Sequence, residues 1–158
     1  MKITLILSGK TNESFLIDGF RNYEKRIIHY IPFNVVAIPD LKNTKSLDSL
    51  QIKEKEADLQ LKNIVDTDFL VLLDESGKEY RSVEFASFLQ QKMNASIKNL
   101  VFIVGGPYGF SDRIKKRANQ NLSLSKMTFS HQLVRLLFME QLYRAFTIIR
   151  NEPYHNEG

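Results

Sequence analysis

The segment from residue 100 to residue 135 constrains the fold of this chain more than any other stretch. It opens with five consecutive apolar residues, 100–104, and a glycine pair follows at once. An apolar run this short, bounded by Asn99 and glycine, is typical of a strand buried on both faces, although its periodicity alone also fits a buried helix segment. We therefore predict a buried strand here, followed by a glycine-rich loop over residues 105–109.

A short hydroxyl-rich segment, residues 122–129, follows the glycine-rich loop and leads into a long apolar helix that begins near Ser130. The carboxyl ends of parallel strands meet at one edge of a sheet, and α/β proteins bind their ligands there. We expect the two loops to follow neighbouring strands and to enclose a small-molecule pocket.

Strand-like and helix-like segments alternate along the chain, which predicts a parallel α/β sheet with helices on both faces. The predicted strands are residues 2–7, 33–38, 69–73, 100–104 and 122–124, and the predicted helices are residues 12–30, 47–63, 82–94, 112–118 and 130–150. Thr11 or Asn12 is the expected cap of the first helix, with Phe15 on its buried face. The last helix is apolar around most of its circumference, which indicates that a second subunit covers part of it.

Composition narrows the range of functions for this chain of 158 residues, which we expect to form one domain. Cysteine is absent and the three histidines lie far apart in the sequence, so a metal enzyme is not expected. No apolar run has the length of a signal peptide or a membrane span, which favours the cytoplasm. The net charge is +4, and its whole excess lies in residues 100–158, which favours an anionic ligand or nucleic acid.

Three motifs resemble known sites but lack a required part. The G-K-T at residues 9–11 resembles the end of a P-loop, yet position 4 is Thr4 where the phosphate-binding turn requires glycine. The glycine-rich loop has the spacing G-G-x-x-G, which is not the dinucleotide fingerprint, and it does not follow the first strand. No G-x-S-x-G elbow accompanies Ser130 and His131, so a serine hydrolase is not indicated.

Four segments occur in order along the chain: L-V-F-I-V-G-G-P-Y-G at 100–109, L-S-L-S-K-M-T-F-S-H-Q-L-V-R at 122–135, E-Q-L-Y-R-A at 140–145 and P-Y-H at 153–155. Together with the opening M-K-I and the chain length, they resemble the RlmH family of SPOUT-class methyltransferases over essentially the whole sequence. The resemblance implies transfer of a methyl group from S-adenosylmethionine to N3 of a pseudouridine in 23S ribosomal RNA. It also implies a homodimer.

The resemblance further implies a trefoil knot, which the rarity of knots argues against on general grounds. The knotted, cofactor-binding part would comprise about residues 68–150, within a single SPOUT domain that ends in a tail over residues 151–158. Cofactor contacts are implied at a strand end, in the glycine-rich loop and in the hydroxyl-rich segment: Leu73, Gly105, Leu124, Ser125, Lys126, Met127, Thr128 and Phe129.

The implied catalytic candidates are Arg144, Tyr154 and His155. An arginine stabilises a uracil-like anion or holds a phosphate, a tyrosine stacks on or hydrogen-bonds to a base, and a histidine accepts a proton near neutral pH. A frayed terminus is an equally good interpretation of Tyr154 and His155. Family members often carry a basic residue after this pair, whereas Asn156, Glu157 and Gly158 follow here.

Two other functions stay open from the sequence. One is a SPOUT methyltransferase that acts on another RNA such as tRNA, and the other is a non-catalytic ribosome-binding protein that has kept the fold. The small charge excess indicates weak, salt-sensitive binding to free RNA, so the assembled ribosome is the expected substrate.

Overall fold

A computed structural model describes residues 1–156 of the chain. Strands and helices alternate through these residues: β1 (Lys2–Ser8), α1 (Ser14–Ile27), β2 (Phe33–Ile38), α2 (Ser49–Leu61), β3 (Phe69–Glu79), α3 (Ser82–Asn94), β4 (Asn99–Val104), α4 (Asp112–Arg117), β5 (Gln120–Ser123) and α5 (Leu133–Ile149). A short 3-10 turn, Thr44–Ser46, precedes α2.

The strands form one parallel sheet in the order β2-β1-β4-β3-β5. β4 lies at its centre, and residues 100–104 are buried. Phe102 belongs to the apolar cluster on one face of the sheet, and Ile103 belongs to the cluster on the other face. The prediction of a strand buried on both faces is therefore confirmed, and the alternative of a buried helix segment is wrong.

Helices cover both faces of the sheet, as predicted. Residues of α1, α3 and α5 form one apolar cluster with the strands, and residues of α2 and α4 form the other. The first cluster is rich in aromatic side chains, and the ring centroids of Phe102 on β4 and Phe138 on α5 lie 4.8 Å apart. The helix α5 thus packs directly against the central strand.

β3 continues six residues beyond its predicted end at residue 73. After a register irregularity between Leu73 and Lys78, the second half of β3 pairs with β5. A Cβ atom on Gly77 would lie 2.6 Å from the backbone nitrogen of Leu122, so only glycine permits this approach. The polar residues 74–76 indicated that the strand ends at residue 73, but pairing with a distant strand overrides that local preference.

The start of α1 also differs from the prediction. The residue before its first turn is Glu13, which makes no side-chain cap, and Phe15 is 63% exposed rather than buried. The expected caps make other contacts. The Thr11 hydroxyl accepts a hydrogen bond from Arg135, and the backbone N–H of Asn12 donates to the side-chain oxygen of Gln132. Gln132 lies just before α5 and Arg135 lies in its first turn. The sequence alone does not show that the start of α1 lies beside the start of α5.

Candidate cofactor cleft and C-terminal cluster

A cleft of about 640 Å³ opens at the carboxyl edge of the sheet, where β3, β4 and β5 end. Leu73 in the middle of β3, Val104 at the end of β4 and Leu122 on β5 line it together with residues of the glycine-rich loop and the hydroxyl-rich segment. Its volume is in the range of small-molecule sites. The expectation that the two loops follow neighbouring strands is wrong, because β3 lies between β4 and β5.

The cleft brings together most of the residues that the family resemblance assigns to the cofactor. Those that line it are Leu73, Gly105, Leu124, Ser125, Met127, Thr128 and Phe129. Lys126 is exposed and is not among the lining residues, so its contact with a cofactor stays a prediction. Sequence reasoning missed Asp74, Glu75, Lys115 and His131, which also line the cleft.

Carboxylates occupy the β3 side of the cleft. Glu75 accepts a hydrogen bond from the Thr128 hydroxyl at 2.7 Å, which joins β3 to the hydroxyl-rich segment. Asp74 accepts a hydrogen bond from the backbone N–H of Ser76 at 2.8 Å. The cleft therefore offers negative charge beside the apolar side chains of Leu73 and Leu124.

Hydroxyl groups hold the shape of the segment after β5. The Ser123 hydroxyl donates to the carbonyl oxygen of Ser125 at 2.8 Å, and the Ser125 hydroxyl accepts from the Met127 amide at 3.0 Å. The Ser130 hydroxyl accepts from the amide of Leu133 at 3.0 Å, at the start of α5. These side chains form local turns, which is their usual role outside regular structure.

The glycine-rich loop packs closely against Phe110 and Glu56. A Cβ atom on Gly105 would lie 3.1 Å from two ring carbons of Phe110, and one on Gly106 would lie 2.5 Å from a carboxylate oxygen of Glu56. Burial raises the pKa of Glu56, while the backbone N–H of Gly106 acts to lower it. A side chain at either glycine would therefore require the Phe110 ring or the Glu56 side chain to shift.

A buried arginine anchors the start of α5 to the carboxyl end of β1. Arg135 is 1% exposed, and its Nη2 donates to the carbonyl oxygen of Ser8 at 2.7 Å. Its Nη1 donates to the carbonyl oxygen of Gly9 at 3.0 Å, and its Nε donates to that of His131 at 3.1 Å. The sequence analysis did not identify this anchor, although an arginine within an apolar helix pattern is a signal that could have indicated it.

His131 accepts a hydrogen bond from Arg135 on its carbonyl oxygen and also lines the cleft. Burial lowers the pKa of His131, and the positive charge of Arg135 lowers it further. The imidazole is therefore neutral at pH 7, because even its ordinary pKa lies near 6.5. A neutral ring beside a cleft presents one donor and one acceptor without adding charge.

The three catalytic candidates form a second cluster with Glu140 of α5. The Arg144 guanidinium pairs with the Glu140 carboxylate, and the Tyr154 hydroxyl donates to the same carboxylate at 3.1 Å. Arg144 also lies 4.8 Å from the centre of the Tyr154 ring and donates to His155 Nδ1 at 3.3 Å. The segment after α5 is thus packed on that helix up to His155, which rules out the interpretation of Tyr154 and His155 as a frayed end.

None of the three candidates lines the cleft of its own chain within the part that the structure describes. The Tyr154 ring packs edge-on against Tyr143 with centroids 4.8 Å apart. Burial raises the pKa of Tyr154, and hydrogen bonding with Tyr23 and the charge of Glu140 raise it further. The phenol therefore stays protonated at neutral pH and acts as a donor.

The lining of the cleft matches two chemical features of S-adenosylmethionine, its flat adenine and its positive charges. Apolar residues Leu73, Leu124 and Phe129 suit the faces of an adenine, and Gly105 lets the backbone approach a flat ring. Asp74 and Glu75 suit a ligand that carries a sulfonium and an ammonium group. The lining residues therefore fit this cofactor.

The described residues contain neither a metal-binding group nor a membrane-spanning helix. Within residues 1–156, no group of histidines and carboxylates is arranged to hold a metal ion. No helix in the same residues is both long enough and apolar enough to cross a membrane.

A parallel sheet with a ligand cleft at the carboxyl ends of its strands defines the chain as an α/β domain that binds a small molecule or cofactor. A family model described as "Predicted SPOUT methyltransferase" matches residues 1–155. The chain therefore belongs to the SPOUT methyltransferase family.

Several relatives named "Ribosomal RNA large subunit methyltransferase H" match the chain over almost its whole length. The protein from Parabacteroides distasonis is 54% identical and that from Flavobacterium johnsoniae is 55% identical, each over 99% of this chain and 100% of its own. The protein from Christiangramia forsetii is 53% identical over 99% of both chains. These relatives support the RlmH resemblance that the four sequence segments gave.

A solved structure of Nep1 from Archaeoglobus fulgidus, bound to S-adenosylhomocysteine, matches 96% of this chain and 99% of its own. Its TM-score is 0.45 and its sequence identity is 8%. A likeness this distant supports no conclusion about the site.

Proposed function

We propose that this protein transfers a methyl group from S-adenosylmethionine to large-subunit ribosomal RNA, at N3 of a pseudouridine, on the assembled ribosome in the cytoplasm. The observation that carries the proposal is the full-length similarity to ribosomal RNA large subunit methyltransferases of three bacteria. The cleft adds support, because its lining fits the cofactor. The pseudouridine and its N3 atom come from the RlmH resemblance.

When bound, the cofactor supplies an electrophilic methyl group on a sulfonium, so the leaving group needs no acid. The residues of the cleft bind and orient: Leu73, Leu124 and Phe129 enclose an adenine, and the carboxylate of Glu75 attracts positive charge. N3 of the base must lose its proton before it becomes a nucleophile. The chain must therefore supply a proton acceptor and a cation for the resulting anion.

Arg144 and His155 are the residues we assign to these two roles. Arg144 is always positively charged, and the N–H groups that do not contact Glu140 or His155 can donate to a uracil-like anion. An arginine only donates, so the Arg144 contact occupies the lone pair of His155 Nδ1, and the neutral ring then carries its proton on Nε2. To accept a proton from the base at Nδ1, the ring must first release its hydrogen bond with Arg144.

We propose that a second copy of the chain completes each site. Arg144, Tyr154 and His155 lie outside the cleft of their own chain, so methyl transfer requires a partner whose C-terminal cluster reaches it. The surface of α5 supports this, because it keeps half-buried or exposed apolar residues: Leu133, Val134, Leu136, Leu137, Ile148 and Ile149. A homodimer with composite sites accounts for both observations.

The trefoil knot over about residues 68–150 and the single-domain organisation over residues 1–158 belong to the same proposal. The pairing of β5 with the far end of β3 supports the knot, because it places Leu122 and Ser123 against residues 78–79, which precede α3. The predicted tail spans residues 151–158, of which Glu157 and Gly158 lie outside the described residues.

The test is methyl transfer from labelled S-adenosylmethionine to ribosomes that lack the modification, beside free ribosomal RNA and bulk tRNA. We expect label in large-subunit ribosomal RNA of assembled ribosomes, recovered as N3-methylpseudouridine. Label recovered only in tRNA would overturn the proposed substrate. Absence of both transfer and cofactor binding by calorimetry would leave a non-catalytic ribosome-binding protein.

A further inference from the structure

The positive charges of residues 100–158 divide into two groups by their contacts. Arginines of this segment are bound within the chain to carboxylates or to backbone carbonyls: Arg113, Arg117, Arg135 and Arg144. Arg150 lies 4.8 Å from the centre of the Tyr30 ring. These arginines therefore have partners within the fold, and apart from Arg144, which we assign to the methyl-transfer step, we give none of them a role toward a ligand.

Three lysines of the same segment differ from these arginines. Lys115, Lys116 and Lys126 are exposed, and none of them makes an ion pair within residues 1–156. Lys115 lines the cofactor cleft, and Lys116 follows it on α4. Lys126 lies between two residues that line the cleft, in the hydroxyl-rich segment. Within this segment, Lys115 and Lys126 thus bring unpaired positive charge to the cleft, and Lys116 adds a third charge next to Lys115 in the chain.

An exposed aromatic ring lies at the same mouth. The amide of Gly109 donates to the carbonyl oxygen of Gly106 at 3.1 Å, which closes a turn with Pro107 and Tyr108 at its tip. Gly109 has a φ of 79°, which glycine adopts without strain, and Pro107 fixes its own φ in this turn. Tyr108 is 53% exposed and lines the cleft. The closed turn therefore presents an exposed aromatic ring at the cleft.

We propose that Lys115, Lys116 and Lys126 bind phosphates of a single-stranded RNA segment, and that the Tyr108 ring stacks on one of its bases. This inference rests on the proposed function. Lysine binds phosphate as a point charge, and exposed aromatic rings stack on unpaired bases. The strand must be single there, because N3 lies on the edge that a paired base uses for pairing. The four residues define one surface, which we name the docking rim.

The lysines are tested by the salt dependence of binding to large ribosomal subunits that lack the modification, measured without cofactor. The variant K115Q/K116Q/K126Q is compared with K2Q/K62Q/K98Q, which removes the same charge. Lys2 and Lys98 lie at the amino edge of the sheet, opposite the cleft, and Lys62 follows the end of α2. Thermal melting of both variants verifies that they are folded.

We expect the slope of log K against log salt to fall by about 2 for the docking-rim variant, since each phosphate contact on a single strand contributes roughly 0.7. The slope of the control variant is expected to equal that of the wild type. A docking-rim variant with the wild-type slope, or an equal loss in both variants, would overturn the proposal. Methyl transfer by the wild-type protein is measured separately, so a failure of the proposed function is recognised independently.

The tyrosine is tested with a matched pair of variants. Tyr108→Ala removes the ring and is expected to weaken binding of the subunit roughly tenfold, whereas Tyr108→Phe keeps the stacking face and is expected to bind as the wild type does. Equal binding by Tyr108→Ala and the wild type would remove the ring from the docking rim. Equal loss in both variants would show that the hydroxyl rather than stacking makes the contact, which would overturn the stacking role.

Discussion

Gly77 is the position where a single methyl group should disturb both the fold and the cleft. An alanine Cβ there would meet three backbone atoms of Asn121 and Leu122 at 2.6, 2.6 and 2.8 Å. Carbon atoms pack at about 3.5 Å or more, so the backbone of β5 would have to move by roughly 1 Å. Backbone atoms cannot rotate away as a flexible side chain does, and the pairing of β3 with β5 weakens.

The expected cost follows from overpacking and lost pairing. Overpacking a well-packed site costs about 1–3 kcal/mol, and one weakened ladder hydrogen bond adds about 1 kcal/mol. We expect Gly77→Ala to lower the free energy of unfolding by about 3 kcal/mol. Leu122 of β5 also lines the cleft, so the affinity for S-adenosylmethionine should fall in the same variant.

Gly109→Ala is the matched control for this prediction. A Cβ atom on Gly109 would meet nothing within 4 Å, so its cost comes only from the φ of 79°. A left-handed conformation costs a non-glycine residue about 1 kcal/mol. Urea unfolding at 25 °C measures both variants. A Gly77→Ala protein that is as stable as Gly109→Ala would refute the close approach of the two backbones as the reason for glycine.

Three further predictions concern α5 and the C-terminal cluster. Arg135→Met should lower the free energy of unfolding by about 3 kcal/mol, because two buried carbonyl groups at the end of β1 lose their donor; a loss below 1 kcal/mol in urea would contradict the anchor. The lowered pKa of His131 means that the unfolded chain binds a proton more readily, so stability should fall as pH drops below about 6.5. The difference in urea midpoint between pH 8 and pH 5 should be smaller in His131→Gln than in the wild type. An equal difference in both proteins would show that His131 does not cause the loss of stability. Tyr154→Phe removes the hydrogen bond to Glu140 and should depress methyl transfer without changing cofactor affinity, and full activity in the transfer assay would make this hydroxyl passive.

Much of the sheet could be predicted from local pattern, because its strands are short apolar runs. The run at residues 100–104 has no polar position, and the centre of a parallel sheet accepts such a strand. The second half of β3 could not be predicted in this way. Its residues, from Asp74 to Glu79, prefer turns locally, and only pairing with β5, more than forty positions along the chain, makes them a strand.

The candidate site divides in the same manner. The residues of the glycine-rich loop were recognisable from composition, whereas the role of Leu73 came only from the family resemblance, since its type predicts a core position. In the sequence, Arg135 is one polar residue within an apolar helix pattern. Its hydrogen bonds to carbonyl groups at the end of β1 could not be predicted, because they depend on the folded chain. The separation of Arg144 from the cleft depends on how α5 packs, which no local pattern specifies.

The account depends most on the claim that one chain supplies the cleft and its partner supplies the C-terminal cluster. Mixing two inactive variants tests this claim: Gly105→Val, whose side chain would disturb Phe110 and the cleft, and His155→Ala, which leaves the cleft intact. After the subunits exchange, random pairing makes half of the dimers mixed, with one complete site in each, so about a quarter of the wild-type methyl transfer should return. No recovery, although mass spectrometry shows that mixed dimers have formed, would contradict the composite site and place both functions within one chain.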